Sequence, residues 1–210
     1  MESEQLKIFD ERGRHIGKAS RSDVHKNGYW HETFHCWFIS KKGDKEYIYF
    51  QQRSSGKKDF PDLLDITAAG HLTSEESVQD GVREIREELG IPVSFSDLVS
   101  IGIIKDQLQK QGFNDNELSH VYLYDITGLD ISFHFQKEEV SGMFRVASAD
   151  FYKMFLENEQ EIPVNGYYIN QQGEEIKVDG HAIKSSFVPH GKEYYHTVSG
   201  ALKKYFSSLN

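Results

Sequence analysis

The chain has 210 residues, a net charge of −9 and no run of lysines or arginines, which argues against a protein that binds nucleic acid mainly through its phosphates. Its single cysteine, Cys36, excludes an intrachain disulfide and a thiolate zinc cluster, and it fits a reducing compartment. The polar N-terminus lacks the apolar core of a signal peptide, and no apolar run approaches the roughly 20 residues that span a bilayer. We therefore expect a cytoplasmic protein that has neither a nucleic-acid polymer nor a membrane as its partner.

Strand patterns dominate the chain when its elements are taken in order. QLKIFDERGRHIGKASR and TFHCWFISKKGDKEYIYFQQRS each predict a β-hairpin, and LLDITAAG predicts a short apolar strand. After a central helix come strands in LVSIGIIKDQ, LSHVYLYDI and GMFRVAS. SADFYKMFLENEQ predicts a helix that starts at Ser148 or Asp150, and EYYHTVSGALKKYFSSLN predicts a last amphipathic helix. This order indicates a mixed α and β domain without a regular βαβ rhythm.

The central helix is predicted over residues 74–89. Thr73 and Glu76 have the spacing of a capping box at its start, and Gly90 is a typical stop. An apolar stripe runs along one face and consists of Val78, Val82, Ile85 and Leu89. Three glutamates are neighbours on the nearly opposite face: Glu84, Glu87 and Glu88.

The three glutamates have two interpretations. On a solvated helix face, like charges four residues apart cost only a few tenths of a kcal/mol, so clustering alone indicates little. In a cleft, the same carboxylates need a cation, and an all-oxygen ligand set suits Mg²⁺ or Mn²⁺.

The spacing beyond the helix resembles the Nudix box, G-x5-E-x7-R-E-U-x-E-E-x-G-U, in which U is a bulky aliphatic residue. The matching residues are Glu75, Arg83, Glu84, Ile85, Glu87, Glu88, Gly90 and Ile91. The glycine departs from the pattern, because Gly70 lies five residues before Glu75 instead of six. Either the loop is one residue short or Ala69 takes the glycine position.

This resemblance implies an α+β fold, the Nudix α/β/α sandwich with a central mixed sheet. The 74–89 helix would lie on one side of the sheet and a C-terminal helix on the other. We expect a single domain over residues 1–210, with an N-terminal strand and hairpin segment at 1–30 and a C-terminal extension at about 160–210. A homodimer is left open, since dimers are common in the family.

The function that the resemblance implies is metal-dependent hydrolysis of a phosphoanhydride bond in a nucleoside-diphosphate-linked or related small molecule. Glu84, Glu87 and Glu88 would bind Mg²⁺ or Mn²⁺, Arg83 would orient a catalytic glutamate, and Glu75 would steady the loop at Gly70. Three acids remain candidates for the general base: Glu84, Glu117 and Glu139. Three nearby cations would either contact phosphate or form a solvated basic loop: Arg53, Lys57 and Lys58.

A second, looser resemblance is to isopentenyl-diphosphate isomerase of the metal-dependent type, and it rests on VHKNGYWHETFHCW, KKDFPDLLDITAAGH and NDNELSHVYLY. It implies a further metal site at His25, His31 and His71, with Asp115 and Glu117 as the acids. Each histidine alone also has a structural interpretation, which we prefer for His35 and His120.

One departure from the isomerase separates the two activities. Ala69 stands where the isomerase has its protonating cysteine, whereas the glutamates that hydrolysis needs are all present. We therefore expect hydrolysis, with an isomerase-like reaction and a non-catalytic ligand sensor as the alternatives.

Overall fold

The computed structural model describes residues 4–110 and 113–209. Its strands are β1 Gln5–Phe9, β2 His15–Ser20, β3 Trp30–Lys42, β4 Lys45–Arg53, β5 Leu64–Ile66, β6 Ala68–His71, β7 Val99–Lys110, β8 Phe113–Asp125, β9 Val140–Ala147, β10 Glu161–Ile169 and β11 Glu175–Ile183. Its α-helices are α1 Arg21–Asn27, α2 Arg83–Leu89, α3 Ser148–Leu156 and α4 Lys192–Ser207. None of the helices in these ranges is long and apolar enough to cross a membrane.

The described strands form one mixed sheet. Its main path runs β11-β10-β9-β4-β3-β1-β2, and the long β3 also pairs in parallel with β8, which in turn carries β7. The short β5 and β6 pair with β4 and β3, so they open a split between those two strands. The other pairs of named strands within the described residues are antiparallel.

Apolar side chains cover both faces of this sheet. On one face, Ile85 and Leu89 of α2 pack against Phe34 of β3 in a buried cluster. On the other face, Phe151 of α3 and Val198 of α4 join a second cluster. Helices on both faces of a mixed sheet confirm the expected α/β/α sandwich.

Both predicted hairpins and the two C-terminal helices are confirmed. The hairpins are β1–β2, which turns at Gly13, and β3–β4, which turns at Gly43. Two elements escaped prediction, the short α1 and the β10–β11 hairpin. The second has a turn glycine, Gly173, at φ 82°, which supplies the left-handed backbone that a tight turn needs.

The predicted start of the central helix is wrong. α2 begins at Arg83, after a single 3₁₀ turn at Asp80–Val82, and not at residue 74. Thr73 N–H does donate to Glu76 Oε2 at 2.7 Å, but this contact closes a turn. The chain beyond Thr73 follows the N-terminal hairpin, because Ser74 N–H donates to the Gln5 carbonyl at 2.7 Å. This non-local pairing with Gln5 outweighs the local capping signal at Thr73.

A buried charged cluster fastens the C-terminal segment to the sheet. His190 Nδ1 lies 2.6 Å from Asp106 Oδ2 on β7, and His190 Nε2 lies 2.9 Å from Asp65 Oδ1 on β5. Arg53 Nη1 donates to the other oxygen of Asp65 at 2.8 Å. Burial by itself would lower the pKa of His190, but its two aspartate partners raise that pKa to about 10. The imidazolium therefore bridges two strands at neutral pH.

We expect His190→Leu to lower the free energy of unfolding by about 3–5 kcal/mol, because it leaves two buried aspartates without their shared cation. The raised pKa means that the stabilisation is fully present below the unfolded-state pKa of 6.5 and is lost as the pH rises through about 10. Urea unfolding at pH 6, 8 and 10 measures both effects. His196→Leu, at an exposed position of α4, is the control. Equal stability of the two variants at pH 6 would contradict the assignment.

Candidate active site

The short strand β6 places chemically different side chains on the two faces of the sheet. It pairs with β3 so that Gly70 lies opposite Phe34, and His71 lies opposite Thr33. Because side chains alternate along a strand, position 70 faces α2, whereas His71 faces the opposite side. The strand therefore borders two separate groups of polar residues.

On the α2 side, Gly70 makes room for a carboxylate. A Cβ at this position would lie 2.1 Å from the Glu84 carboxyl carbon, so even alanine would collide with it. Of the two positions considered for the box glycine, Gly70 is the one that this contact requires. The close approach buries Glu84 against the backbone of β6.

Glu88 lies deepest of the three helix glutamates. Its Oε2 accepts bonds from the Ala69 backbone N–H at 3.1 Å and from Gln51 Nε2 at 3.3 Å. Burial and the neighbouring Glu84 raise the pKa of Glu88 well above its ordinary value. Burial likewise raises the pKa of Glu84 to about 7, although the nearby Arg83 opposes that change. Glu87 lies at the rim, with 53% of its side chain exposed.

Arg83 ties the helix to the preceding loop. It donates to Glu84 at 2.6 Å and to Glu87 at 3.1 Å, and it also donates to Glu76 through Nε at 2.5 Å and Nη2 at 3.1 Å. Glu75, the residue that the motif match selected for loop support, is 84% exposed and contacts Ser74 and Lys18.

These contacts give a different position for the residue that the chain lacks relative to the Nudix box. Gly70 and Glu76 have the G-x5-E spacing of the motif, and Glu76 holds Arg83 across an interval of six residues instead of seven. The missing residue therefore falls between Glu76 and Arg83, and not between the glycine and the glutamate.

The three basic residues Arg53, Lys57 and Lys58 differ in their contacts. Arg53 is engaged with the Asp59 carbonyl and with Asp65. Lys57 forms an ion pair with Glu139, and the charges of both act on Glu88, Lys57 lowering its pKa and Glu139 raising it. Lys58 is exposed. Lys57 and Glu139 thus lie beside the carboxylate centre.

Four donors converge on the opposite face: His25, His31, His71 and Asp115, with one ligand atom of each within 4.8 Å of the others. Asp115 Oδ1 lies 3.3 Å from Nε2 of His25 and 3.3 Å from Nε2 of His31. His31 Nδ1 donates to the Tyr29 carbonyl at 3.1 Å, which leaves the Nε2 lone pair available.

Two observations support this group as a set of metal ligands. Within the described part of the chain, the Nε2 atoms of His31 and His71 and Oδ1 of Asp115 are buried without a hydrogen-bond partner. Burial and the adjacent His31 lower the pKa of His71 well below its ordinary value, so its imidazole is neutral, as a metal ligand must be.

Glu117 is not one of these four donors, although it lies on the same face of β8 as Asp115. Its Oε2 is 3.2 Å from His35 Nε2 and accepts a bond from Ser119 Oγ at 3.2 Å. His35 Nδ1 in turn lies 2.9 Å from the hydroxyl of Tyr194 on α4. The residues expected to be structural do have partners, since His120 Nε2 lies 2.9 Å from Glu32.

The two groups suit different ions. The three glutamates offer only oxygen, which suits Mg²⁺ or Mn²⁺, whereas three imidazoles and a carboxylate suit a first-row transition metal. Sequence reasoning missed Gln51, Glu76 and Tyr194 as neighbours of these groups. The G-x5-E spacing could have identified Glu76, but no local pattern marks Gln51 or Tyr194, because their partners are distant in the chain.

Comparisons with known proteins identify the family and the fold. The NUDIX domain profile matches residues 29–164. An uncharacterised Nudix hydrolase of Clostridium acetobutylicum is 41% identical over 203 residues, covering 96% of this chain and 98% of that protein. An isopentenyl-diphosphate Delta-isomerase of Photorhabdus laumondii is 27% identical over 122 residues, covering 57% of this chain and 68% of that protein. In fold, the crystal structure of DR0079 from Deinococcus radiodurans matches with a TM-score of 0.52 at 21% identity, over 74% of this chain and 91% of that one.

We expect the metal-free protein to lose stability as the pH rises from 5 to 8. The raised pKa of Glu84 means that its stabilising, protonated form is fully present below the unfolded-state value of 4.5 and is lost as the pH rises through about 7. Glu84→Gln should therefore raise the Tm of the metal-free protein at pH 8 by about 2–6 °C. Differential scanning calorimetry in chelator measures this change.

Glu87→Gln is the matched control, because its side chain is half exposed and its replacement should leave the Tm of the metal-free protein nearly unchanged. Parallel Tm curves for the native protein and Glu84→Gln between pH 5 and 8 would contradict the burial argument.

Proposed function

The chain belongs to the Nudix family and is a Nudix pyrophosphohydrolase, and from that premise we propose that it cleaves a phosphoanhydride bond in a nucleoside-diphosphate-linked or related small molecule with Mg²⁺ or Mn²⁺. The observation that carries this proposal is the burial of Glu84 and Glu88 against one strand, where burial raises the pKa of both acids although Arg83 lies 2.6 Å from Glu84. Buried like charges of this kind need a counter-ion to remain ionised.

The residues of the chain would then divide the work. Arg83 holds Glu84 and Glu87 in place, and the Ala69 N–H holds Glu88. Divalent ions bound by these carboxylates would neutralise the diphosphate and lower the pKa of a coordinated water. The water oxygen would bond to phosphorus as the bond from phosphorus to the bridging oxygen breaks, and the second phosphate would leave as a monoester.

Glu84 is the general base that the arrangement favours. It lies between Arg83 and the β6 backbone, and a carboxylate with a raised pKa accepts a proton near neutral pH. Glu139 is the second candidate, because it lies near Glu88. Glu117 faces the opposite side of the sheet, with His35, and is the least favoured of the three.

Phosphate binding is best assigned to Lys57. Its ammonium lies beside the carboxylate centre, whereas the guanidinium of Arg53 is committed to Asp59 and Asp65. Lys58 is exposed and would contact only a substrate that extends over the loop.

We assign the four-donor group at His25, His31, His71 and Asp115 to a second metal ion, of the transition series. This group lies on the face of the sheet opposite α2, so its ion would not bridge to the glutamate centre.

The isomerase alternative lacks support at two points. Ala69 has no acidic proton to give a double bond. Its cross-strand partner, His35, lies 2.9 Å from the hydroxyl of Tyr194 on α4, so that imidazole is already engaged within the protein. The sensor alternative requires a centre that binds without turnover, and the intact triad with its Arg83 support argues against it.

We expect release of phosphate or nucleoside monophosphate from at least one member of a panel of nucleoside triphosphates, ADP-ribose, NADH, coenzyme A and prenyl diphosphates, in the presence of Mg²⁺ or Mn²⁺. Glu84→Gln should lower kcat/KM by about 10²–10⁴-fold, since it removes both a ligand and the favoured base. Glu76→Gln should lower activity through Arg83, whereas Glu75→Gln, at an exposed position, should retain it.

Double-bond migration in a prenyl diphosphate, without hydrolysis of any compound, would establish the isomerase alternative. Metal-dependent binding of a panel compound with no turnover would establish the sensor.

For the second centre, we expect purified protein loaded with Zn²⁺ to retain one equivalent after desalting. His71→Ala or Asp115→Asn should lose that equivalent, because each removes one of four ligands. Elemental analysis gives the stoichiometry, and Mg²⁺ titration should show the glutamate centre unaffected. His120→Gln, whose imidazole pairs with Glu32, is the control. Retention of the metal by both ligand variants would remove the assignment.

A further inference from the structure

Gln51 on β4 has a polar group that the protein itself does not satisfy. The residue is 2% exposed, and its amide Nε2 donates to Glu88 Oε2 at 3.3 Å. Its carbonyl Oε1 is buried and has no hydrogen-bond partner among the residues that the structure describes. More than about nine in ten buried polar groups are paired, and an unpaired one costs about 1–3 kcal/mol. A missing donor is therefore the simplest reading of Oε1.

The orientation of the amide follows from its partner. With a cation at the glutamates, Glu88 is ionised and only accepts hydrogen bonds, so the amide then turns its NH₂ group toward Glu88 and its carbonyl elsewhere. The Ala69 N–H contacts the same oxygen, Oε2, at 3.1 Å. Two donors thus fix one oxygen of Glu88, and Oε1 of that carboxylate is left to bind a cation.

We propose that Gln51 is a positioning residue of the glutamate centre, which orients Glu88 through its amide NH₂ and accepts a hydrogen bond from a metal-bound water at its carbonyl. The proposal rests on the proposed function, in that it requires a divalent ion at the glutamates. Water on a divalent cation is a strong donor, which matches the unpaired carbonyl. Partners that orient metal ligands typically change metal affinity by about 10–100-fold when they are removed.

The chain provides a matched control in the next residue. Gln52 lies on the same strand and also has a buried carbonyl without a partner in the described ranges, but its amide donates to the Asp62 carbonyl at 3.3 Å and not to a box glutamate. Replacing either glutamine by methionine keeps the length of the side chain and removes its polar atoms.

The experiment is calorimetric titration of Mg²⁺ into the full chain without substrate, for native protein, Gln51→Met, Gln52→Met and Glu88→Gln. Mg²⁺ is the probe because imidazole ligands are poorly suited to it, so the four-donor group contributes little. We expect Gln51→Met to weaken Mg²⁺ binding about 10-fold or more, and Gln52→Met to leave it unchanged. Glu88→Gln should abolish binding at that site.

Thermal unfolding separates positioning from a structural role. In chelator, Gln51→Met should have the native Tm or a higher one, because methionine leaves no unpaired carbonyl, and its gain in Tm on adding Mg²⁺ should be smaller than that of the native protein. A lower Tm in chelator with a native Mg²⁺ affinity would overturn the proposal and make Gln51 structural. If the native chain bound no Mg²⁺, or bound it equally in Glu88→Gln, the glutamate centre itself would fail, and this proposal with it.

Discussion

The burial of two carboxylates against one short strand is the constraint on which the rest of the site depends. Glu84 fits only because residue 70 has no side chain, and Glu88 accepts the backbone N–H of Ala69. Neither acid can be both buried and ionised in this position without a positive charge close by, and burial raises the pKa of each. A cation bound by these carboxylates, as proposed, would offset the cost of burying them in ionised form.

Adjacent residues of β6 point to opposite faces of the sheet, so the strand borders two polar groups of different composition. Gly70 faces the oxygen-only centre under α2, and His71 belongs to the histidine-rich group on the other face. Any shift in the register of β6 would move both groups at once, since a slip of one residue exchanges the two faces. The Asp65–His190–Asp106 cluster ties β5, the strand just before β6, to β7 and to the C-terminal segment. That segment lies beyond the family match, which ends at residue 164.

The features that could be predicted from the sequence depend on residues that are close together in the chain. The hairpins and the Ile85 and Leu89 part of the apolar stripe follow from spacing over short stretches of chain, and they were predicted. The start of α2 was not, because the pairing of Ser74 with Gln5 takes the chain away from the helix. The contacts of Gln51 and His190 depend on partners 37, 84 and 125 residues away, which no local pattern encodes. The support of Arg83 by Glu76, 7 residues away, could have been found from the G-x5-E spacing.

The alanine at residue 69 argues against isomerisation and is compatible with hydrolysis. Protonating a double bond requires an acid that faces the substrate, and the alanine at residue 69, opposite His35, cannot supply a proton. Hydrolysis asks nothing of the residue 69 side chain, because the backbone N–H already serves Glu88 from within the strand. A cysteine at this position would add a reactive group without improving any contact to the glutamates. In this chain, β6 therefore contacts the α2 glutamates through its backbone N–H and contributes a single histidine to the group on the other face.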